Sequence, residues 1–146
     1  MSKALITIQN ASLSFGTKKL FENFSQVFKE SEKIAIIGRN GSGKSSLLKV
    51  LAGNILLDSG IFEKRRNLTI TTLLQFYTPK EGETSQEYIA QGLGEFQDEI
   101  WRTYDIMAEL NILPNTLLTK MSGGELRRAS LARALVGDPD LLLMDE

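Results

Sequence analysis

The segment Gly38-Arg39-Asn40-Gly41-Ser42-Gly43-Lys44-Ser45 constrains this chain more than any other, because it matches G-x-x-x-x-G-K-[ST] in full. Such a loop works only where a buried strand runs in and a helix runs out, and both signals flank it. Ile34-Ala35-Ile36-Ile37 is a continuous apolar run of the kind found in a strand covered on both faces. From Ser45 onward, Leu47, Leu48, Val50 and Leu51 read as a helix with one apolar face, and Gly53 stands where a C-cap is expected. Glycines at 38, 41 and 43 let successive backbone N–H groups point at one anion, and the helix N-terminus adds about half a positive charge behind them. A glycine-rich turn alone would explain the glycines. It would not explain Lys44 and Ser45 at their offsets, which suit a cation bridging outer phosphates and a hydroxyl ligating Mg2+.

Composition narrows the remaining chemistry. The 146 residues include no Cys and no His, which removes Cys/His metal sites, thiol nucleophiles and Ser-His-Asp triads. Any proton transfer falls to Asp, Glu, Lys, Tyr or water. The formal net charge of -1 offers no bulk attraction to polyanions, yet the first fifty residues hold eight basic and three acidic groups. That local excess suits a small anionic ligand. The longest apolar runs, Ile34 to Ile37 and Leu141 to Met144, fall far below the roughly 20 residues needed to span a bilayer. The first ten residues resemble no export signal, which points to the cytoplasm.

The rest of the chain reads as α/β. Ala4 to Gln9, Leu13 to Phe15, Leu20 to Phe21 and Phe24 to Phe28 predict a β-meander, Asp58-Ser59-Gly60 a turn, and Leu68 to Leu74 a further strand. Thr84 and Glu87 have capping-box spacing at the start of a short helix. Phe96, Ile100, Tyr104, Met107 and Leu110 recur at helical spacing in a second helix, ended by Pro114, and their periodicity marks them as core. A third helix begins near Ser122 and stops at Gly137-Asp138-Pro139. A buried strand, Leu141 to Met144, then ends in two carboxylates, Asp145 and Glu146. Ser122 and Glu125 again have capping-box spacing. Two glycines in a first helical turn, Gly123 and Gly124, cost roughly 1 kcal/mol each relative to Ala, which suggests a backbone that something must approach closely.

Taken together, these segments resemble an ABC-type ATPase domain over the whole chain. Gly38 to Ser45 resembles the Walker A motif, Ser122-Gly123-Gly124-Glu125 the family signature with Met121 where leucine is usual, and Leu141 to Glu146 Walker B. The resemblance implies a P-loop NTPase fold of ABC type: a β-rich nucleotide-binding core from residues 1–75 and 121–146, with a small helical subdomain at 76–120. It implies that Phe15 stacks on adenine, and that Gly38, Arg39, Asn40, Gly41, Ser42, Gly43, Lys44, Ser45 and Ser46 hold ATP. Ser45, Gln75 and Asp145 would serve Mg2+, and Glu146 would polarise the attacking water. Ser122, Gly123, Gly124 and Glu125 would face the ATP of a partner ABC domain.

Leu56-Leu57-Asp58-Ser59-Gly60 and Leu73-Leu74-Gln75 resemble most the first nucleotide-binding domain of the ABC-F class in its Uup-like form. That class is cytoplasmic and associates with ribosomes or nucleic acid. The alternatives are the ATPase subunit of a membrane transporter and a nucleotide-binding fragment without turnover. Because the sequence stops at Glu146, the D-loop and switch histidine of the family are absent, and the chain reads as an ABC domain truncated after Walker B. The expectation is that it binds MgATP and hydrolyses it hardly above background.

Overall fold

The computed structural model describes residues 3–73 and 77–145. They divide into two compact units, one of residues 3–70 with Asp145 and one of residues 71–144.

In the first unit, β1 (Ala4–Phe15) and β2 (Lys18–Lys29) form a long antiparallel hairpin, and β3 (Ser59–Lys64) pairs antiparallel on the other side of β1, giving the order β2-β1-β3. As the central strand, β1 carries the core side chains Leu5, Ile6, Ile8, Ala11 and Leu13. Each contributes on the order of 1–3 kcal/mol of apolar burial. The interruptions read in the sequence as breaks between short meander strands are register shifts within these two long strands, between Ile8 and Ala11 and between Leu13 and Ser14. A bulge keeps a strand going where local polarity suggests a turn.

Asp58-Ser59-Gly60 is likewise not a simple turn. Asp58 Oδ2 accepts from the Ser14 N–H (2.7 Å) and the Ser14 hydroxyl (2.6 Å), and Ser59 enters the sheet opposite Ser12. Strand β3 was illegible because its partner lies some fifty residues away, and strand formation is decided by such partners. Helix α1 (Lys44–Leu51) buries Leu47, Val50 and Leu51 and ends beside Gly53 at φ +81°, as its sequence suggested.

The expected buried strand at Ile34 to Ile37 is not formed. Residues 32–39 run without strand pairing, Ile34 is 48% exposed and Ile37 93%. A run this apolar is suited to the middle of a sheet, but among the described residues no strand is hydrogen-bonded to it.

The second unit holds all but the first residue of β4 (Ile70–Leu73), paired with β5 (Leu141–Met144), and the helices α2 (Ser85–Ala90), α3 (Trp101–Glu109) and α4 (Gly123–Leu135). In β5 only Leu143 is fully buried. Its helical core is Tyr88, Ile89 and Leu93 from the α2 region, Met107 and Ile112 from the α3 region, Leu118, and Ala129, Ala132 and Val136 from the α4 region. Thr84 and Ser122 each cap their helix by accepting from the N–H of the glutamate three residues on, with both capping boxes closed. The α3 pattern needs correction. Phe96 lies in a separate 3-10 turn, Ile100 and Tyr104 are nearly half exposed, and the helix ends at Glu109, with Leu110 as its C-cap and Asn111 at φ +52°, before Pro114 is reached. Asn tolerates the left-handed conformation, so it stops the helix first.

One polar cluster ties this unit together. The Tyr77 hydroxyl donates to Glu83 Oε2 (2.5 Å), Gln91 Nε2 donates to Glu83 Oε1 (2.8 Å), and the Arg133 guanidinium lies 4.8 Å from the Tyr88 ring centre. Burial, reinforced by the hydrogen bond to Glu83, pushes the Tyr77 hydroxyl up to about 12. Burial also pushes the Glu83 carboxyl up, but the bonds it accepts from Tyr77, Gln91 and Lys80 outweigh this and hold it below its ordinary 4.5. Glu87 and Glu125 are lowered too, by the hydrogen bonds of their capping boxes.

A carboxyl lowered on folding stabilises above its unfolded pKa and loses that contribution as pH falls. A raised tyrosine stabilises below its unfolded pKa of 10.0 and loses that contribution as pH rises toward 12. The thermal midpoint, followed by the fluorescence of the single tryptophan, Trp101, should therefore be level from about pH 5 to 9 and fall on both sides. Tyr77→Phe should flatten the alkaline limb. An alkaline limb of unchanged steepness in that variant would show that the Tyr77–Glu83 bond does not cause it.

Candidate functional site: the phosphate cradle

The cradle is built within the first unit. Gly43, at φ +100° and ψ 9°, is the N-cap of α1, a left-handed conformation that favours glycine. Because it has no side chain, no side-chain cap covers the first-turn N–H groups of α1, whereas α2 and α4 are closed by their own Thr84 and Ser122. The Lys44 ammonium folds back over the loop and donates to the carbonyls of Gly38 (2.9 Å) and Arg39 (3.1 Å), while the Ser42 N–H donates to Arg39 O (3.1 Å). The loop thus curls around its own lysine, and it exposes Arg39, Asn40, Gly41, Ser42 and Ser45, with Ser46 half-buried. Uncapped helix donors and an ammonium held over the same loop are the parts needed to take up a phosphate chain.

Two residues at the turn of the β1–β2 hairpin bear on this site. Phe15, at the tip of the β1–β2 hairpin, is 53% exposed although aromatic. Lys18, which the sequence reading passed over, donates its ammonium to Gly41 O at 3.0 Å. The signal that could have found it was register: a two-residue turn after Phe15 sets Lys18 directly opposite it.

The remaining predicted residues are distributed as follows. Asp145 is half-buried immediately after β5 and groups with the unit that holds the cradle. Ser45 and Asp145 offer oxygen donors of the kind Mg2+ takes, and no His/Cys/Asp/Glu cluster of three or more occurs among the described residues. Gln75 and Glu146 lie outside the described residues.

Ser122 to Glu125 belong to the second unit. There the Ser122 hydroxyl donates to Glu125 Oε2 (2.7 Å) and accepts from the Glu125 N–H (3.3 Å), so both side chains are spent on starting α4. Gly123 and Gly124 are different: a Cβ on either would meet nothing within 4 Å. The fold itself does not demand glycine at these two positions.

Comparison with known proteins bears on the family and the fold. The chain is 33% identical to the ATP-binding protein Uup of Haemophilus influenzae, in an alignment covering 98% of this chain and 28% of that protein. It is 31% identical to a protein of Thermotoga maritima named "Probable metal transport system ATP-binding protein", covering 97% of this chain and 61% of the relative. The chain thus spans roughly a quarter to three-fifths of the length of these relatives. Among solved structures, a nucleotide-free ATP-binding cassette from an ABC transporter superposes with a TM-score of 0.80 at 22% identity, over 99% of this chain and 69% of that one. No helix among the described residues is long and apolar enough to cross a membrane. The family model described as ABC transporter matches residues 21–146, and the chain belongs to the ABC ATPase family.

Proposed function

We propose that this chain binds MgATP in the cradle and forms one half of an ATP-hydrolysing pair of ABC domains. The observation that carries the reading is the cradle itself: Lys44 curled over the loop carbonyls, in front of a helix N-terminus that no side chain caps. In this reading Lys44 exchanges its two carbonyl partners for the outer phosphates. The backbone of Gly41 to Ser46 holds the inner ones, and Ser45, Gln75 and Asp145 attend the magnesium ion. Bound Mg2+ supplies charge neutralisation for the transferred phosphoryl group. Glu146 orients the attacking water, as the resemblance of Leu141 to Glu146 to Walker B implies. Residues 1–75 and 121–146 act as the nucleotide-binding core and 76–120 as the helical subdomain.

The open flank of Gly123 and Gly124 faces the γ-phosphate of a nucleotide held by a second ABC domain, which is why glycine stands where nothing in this chain crowds it. The likeness to an ATP-binding protein Uup favours the ABC-F reading, for which the sequence resemblance implies a cytoplasmic factor acting with ribosomes or nucleic acid. The Thermotoga relative supports the second reading, a subunit that energises a membrane transporter. Co-sedimentation with ribosomes against co-purification with a membrane fraction separates the two.

Binding is tested by titration calorimetry, and Phe15 gives it an internal check. If the exposed ring stacks on adenine, Phe15→Ala should weaken MgATP about tenfold while leaving inorganic tripolyphosphate unchanged, since aromatic–base stacking contributes roughly 1–3 kcal/mol. Equal losses for the two ligands would assign Phe15 to the fold instead. Because turnover needs a complete pair of ABC domains, steady-state phosphate release by this chain alone should stay hardly above background, with Glu146→Gln making little further difference. A robust rate from this chain at concentrations where it is monomeric, lost on Glu146→Gln, would refute the paired-domain reading.

A further inference from the structure

We propose that Lys18 is a positioning residue that couples the adenine platform to the phosphate cradle, an inference that rests on the MgATP reading of that cradle. Two side chains on one face of β2 touch the loop. Lys18 donates its ammonium to Gly41 O at 3.0 Å, and two residues on, Leu20 packs so closely that a Cβ on Gly43 would lie 3.2 Å from Leu20 Cβ. Strand geometry places i and i+2 on the same face, so residues 18 and 20 meet residues 41 and 43 as a matched pair. Lys19, between them, turns away and pairs with Glu22 at 3.0 Å. In the same hairpin, Lys18 is the register partner of Phe15 across the turn. One exposed ammonium therefore ties the tip of the phosphate loop to the strand end that carries the aromatic ring.

A nucleotide that stacks on Phe15 and fills the cradle touches both bodies, so its affinity depends on their spacing. A bare phosphate chain touches one body and is indifferent to it. The bond to Gly41 O is charge-assisted, which makes it stronger than a neutral hydrogen bond to the same carbonyl.

The test compares MgATP and inorganic tripolyphosphate binding by this chain for wild type, Lys18→Met, Lys18→Arg and Lys19→Met. Lys19→Met removes the same formal charge from the same hairpin without touching the loop. Lys18→Met should weaken MgATP about tenfold, should weaken tripolyphosphate no more than Lys19→Met does, and should be rescued by Lys18→Arg. Both lysines are exposed, so the variants should melt with wild type. A MgATP loss no larger than that of Lys19→Met, or the same factor for both ligands, would overturn the proposal. Failure of the wild-type chain to bind MgATP at all would instead overturn the reading of the cradle.

Discussion

Lys44→Ala should raise the dissociation constant for MgATP at least about a hundredfold, the largest functional effect expected of any single change in this chain. Lys44 donates to Gly38 O and Arg39 O, two neutral carbonyls, and each is a weaker partner for an ammonium than a phosphate oxygen. When the ligand enters, the lysine exchanges weak acceptors for charged ones. Alanine removes that gain and leaves phosphate oxygens facing only backbone N–H groups. A charge-assisted contact of this kind contributes about 1.5–3 kcal/mol, and two shared between phosphates take the loss to the hundredfold range. The fold should tolerate the change, because Lys44 is the first residue of α1 and the buried face is carried by Leu47, Val50 and Leu51. Calorimetric titration with MgATP, beside an unchanged thermal midpoint, is the measurement. Affinity within threefold of wild type would remove the assignment of this loop as a phosphate cradle.

The largest stability effect is expected at a glycine that no motif marks. Gly92 follows α2, and a Cβ there would collide with the carbonyl oxygen of Arg133 and lie 2.9 Å from Val136 Cγ1. Gly137 meets it from the other side, with its own Cβ position 2.6 Å from Gly92 O. The obstacle is backbone, which cannot swing aside as a side-chain end could. Gly92→Ala must therefore push α2 and α4 apart, loosening the contacts among Tyr88, Ile89, Leu93, Ala129, Ala132 and Val136. Overpacking of this sort costs about 3 kcal/mol, equivalent to roughly 10 °C in thermal midpoint for a chain of this size. Gly123→Ala is the matched control. It is a helical glycine with open space around it, and alanine there should leave the midpoint unchanged or raise it by up to about 1 kcal/mol of stability. Equal destabilisation by both substitutions would show that the α2–α4 approach is not what Gly92 serves.

Set side by side, those two glycines show where the sequence speaks plainly and where it does not. What the sequence determined by itself is what short-range chemistry determines. The cradle loop is spelled by residue types within eight positions, the stop of α1 by Gly53, and the starts of α2 and α4 by Thr84 with Glu87 and Ser122 with Glu125. Each such signal is complete within one helical turn, because a cap or a loop satisfies its own backbone locally. The three motifs, read in order, were enough to identify the family. The tertiary structure alone decided everything that depends on a distant partner. It joined the apparent meander into two twelve-residue strands, made a strand of Ser59–Lys64 against β1, and left Ile34 to Ile37 unpaired despite an apolar run made for a sheet interior. It likewise placed Lys18 on Gly41 and Gly92 against Arg133. Register and close backbone approach carry no local signature, since the energy that selects them comes from groups tens of residues away along the chain.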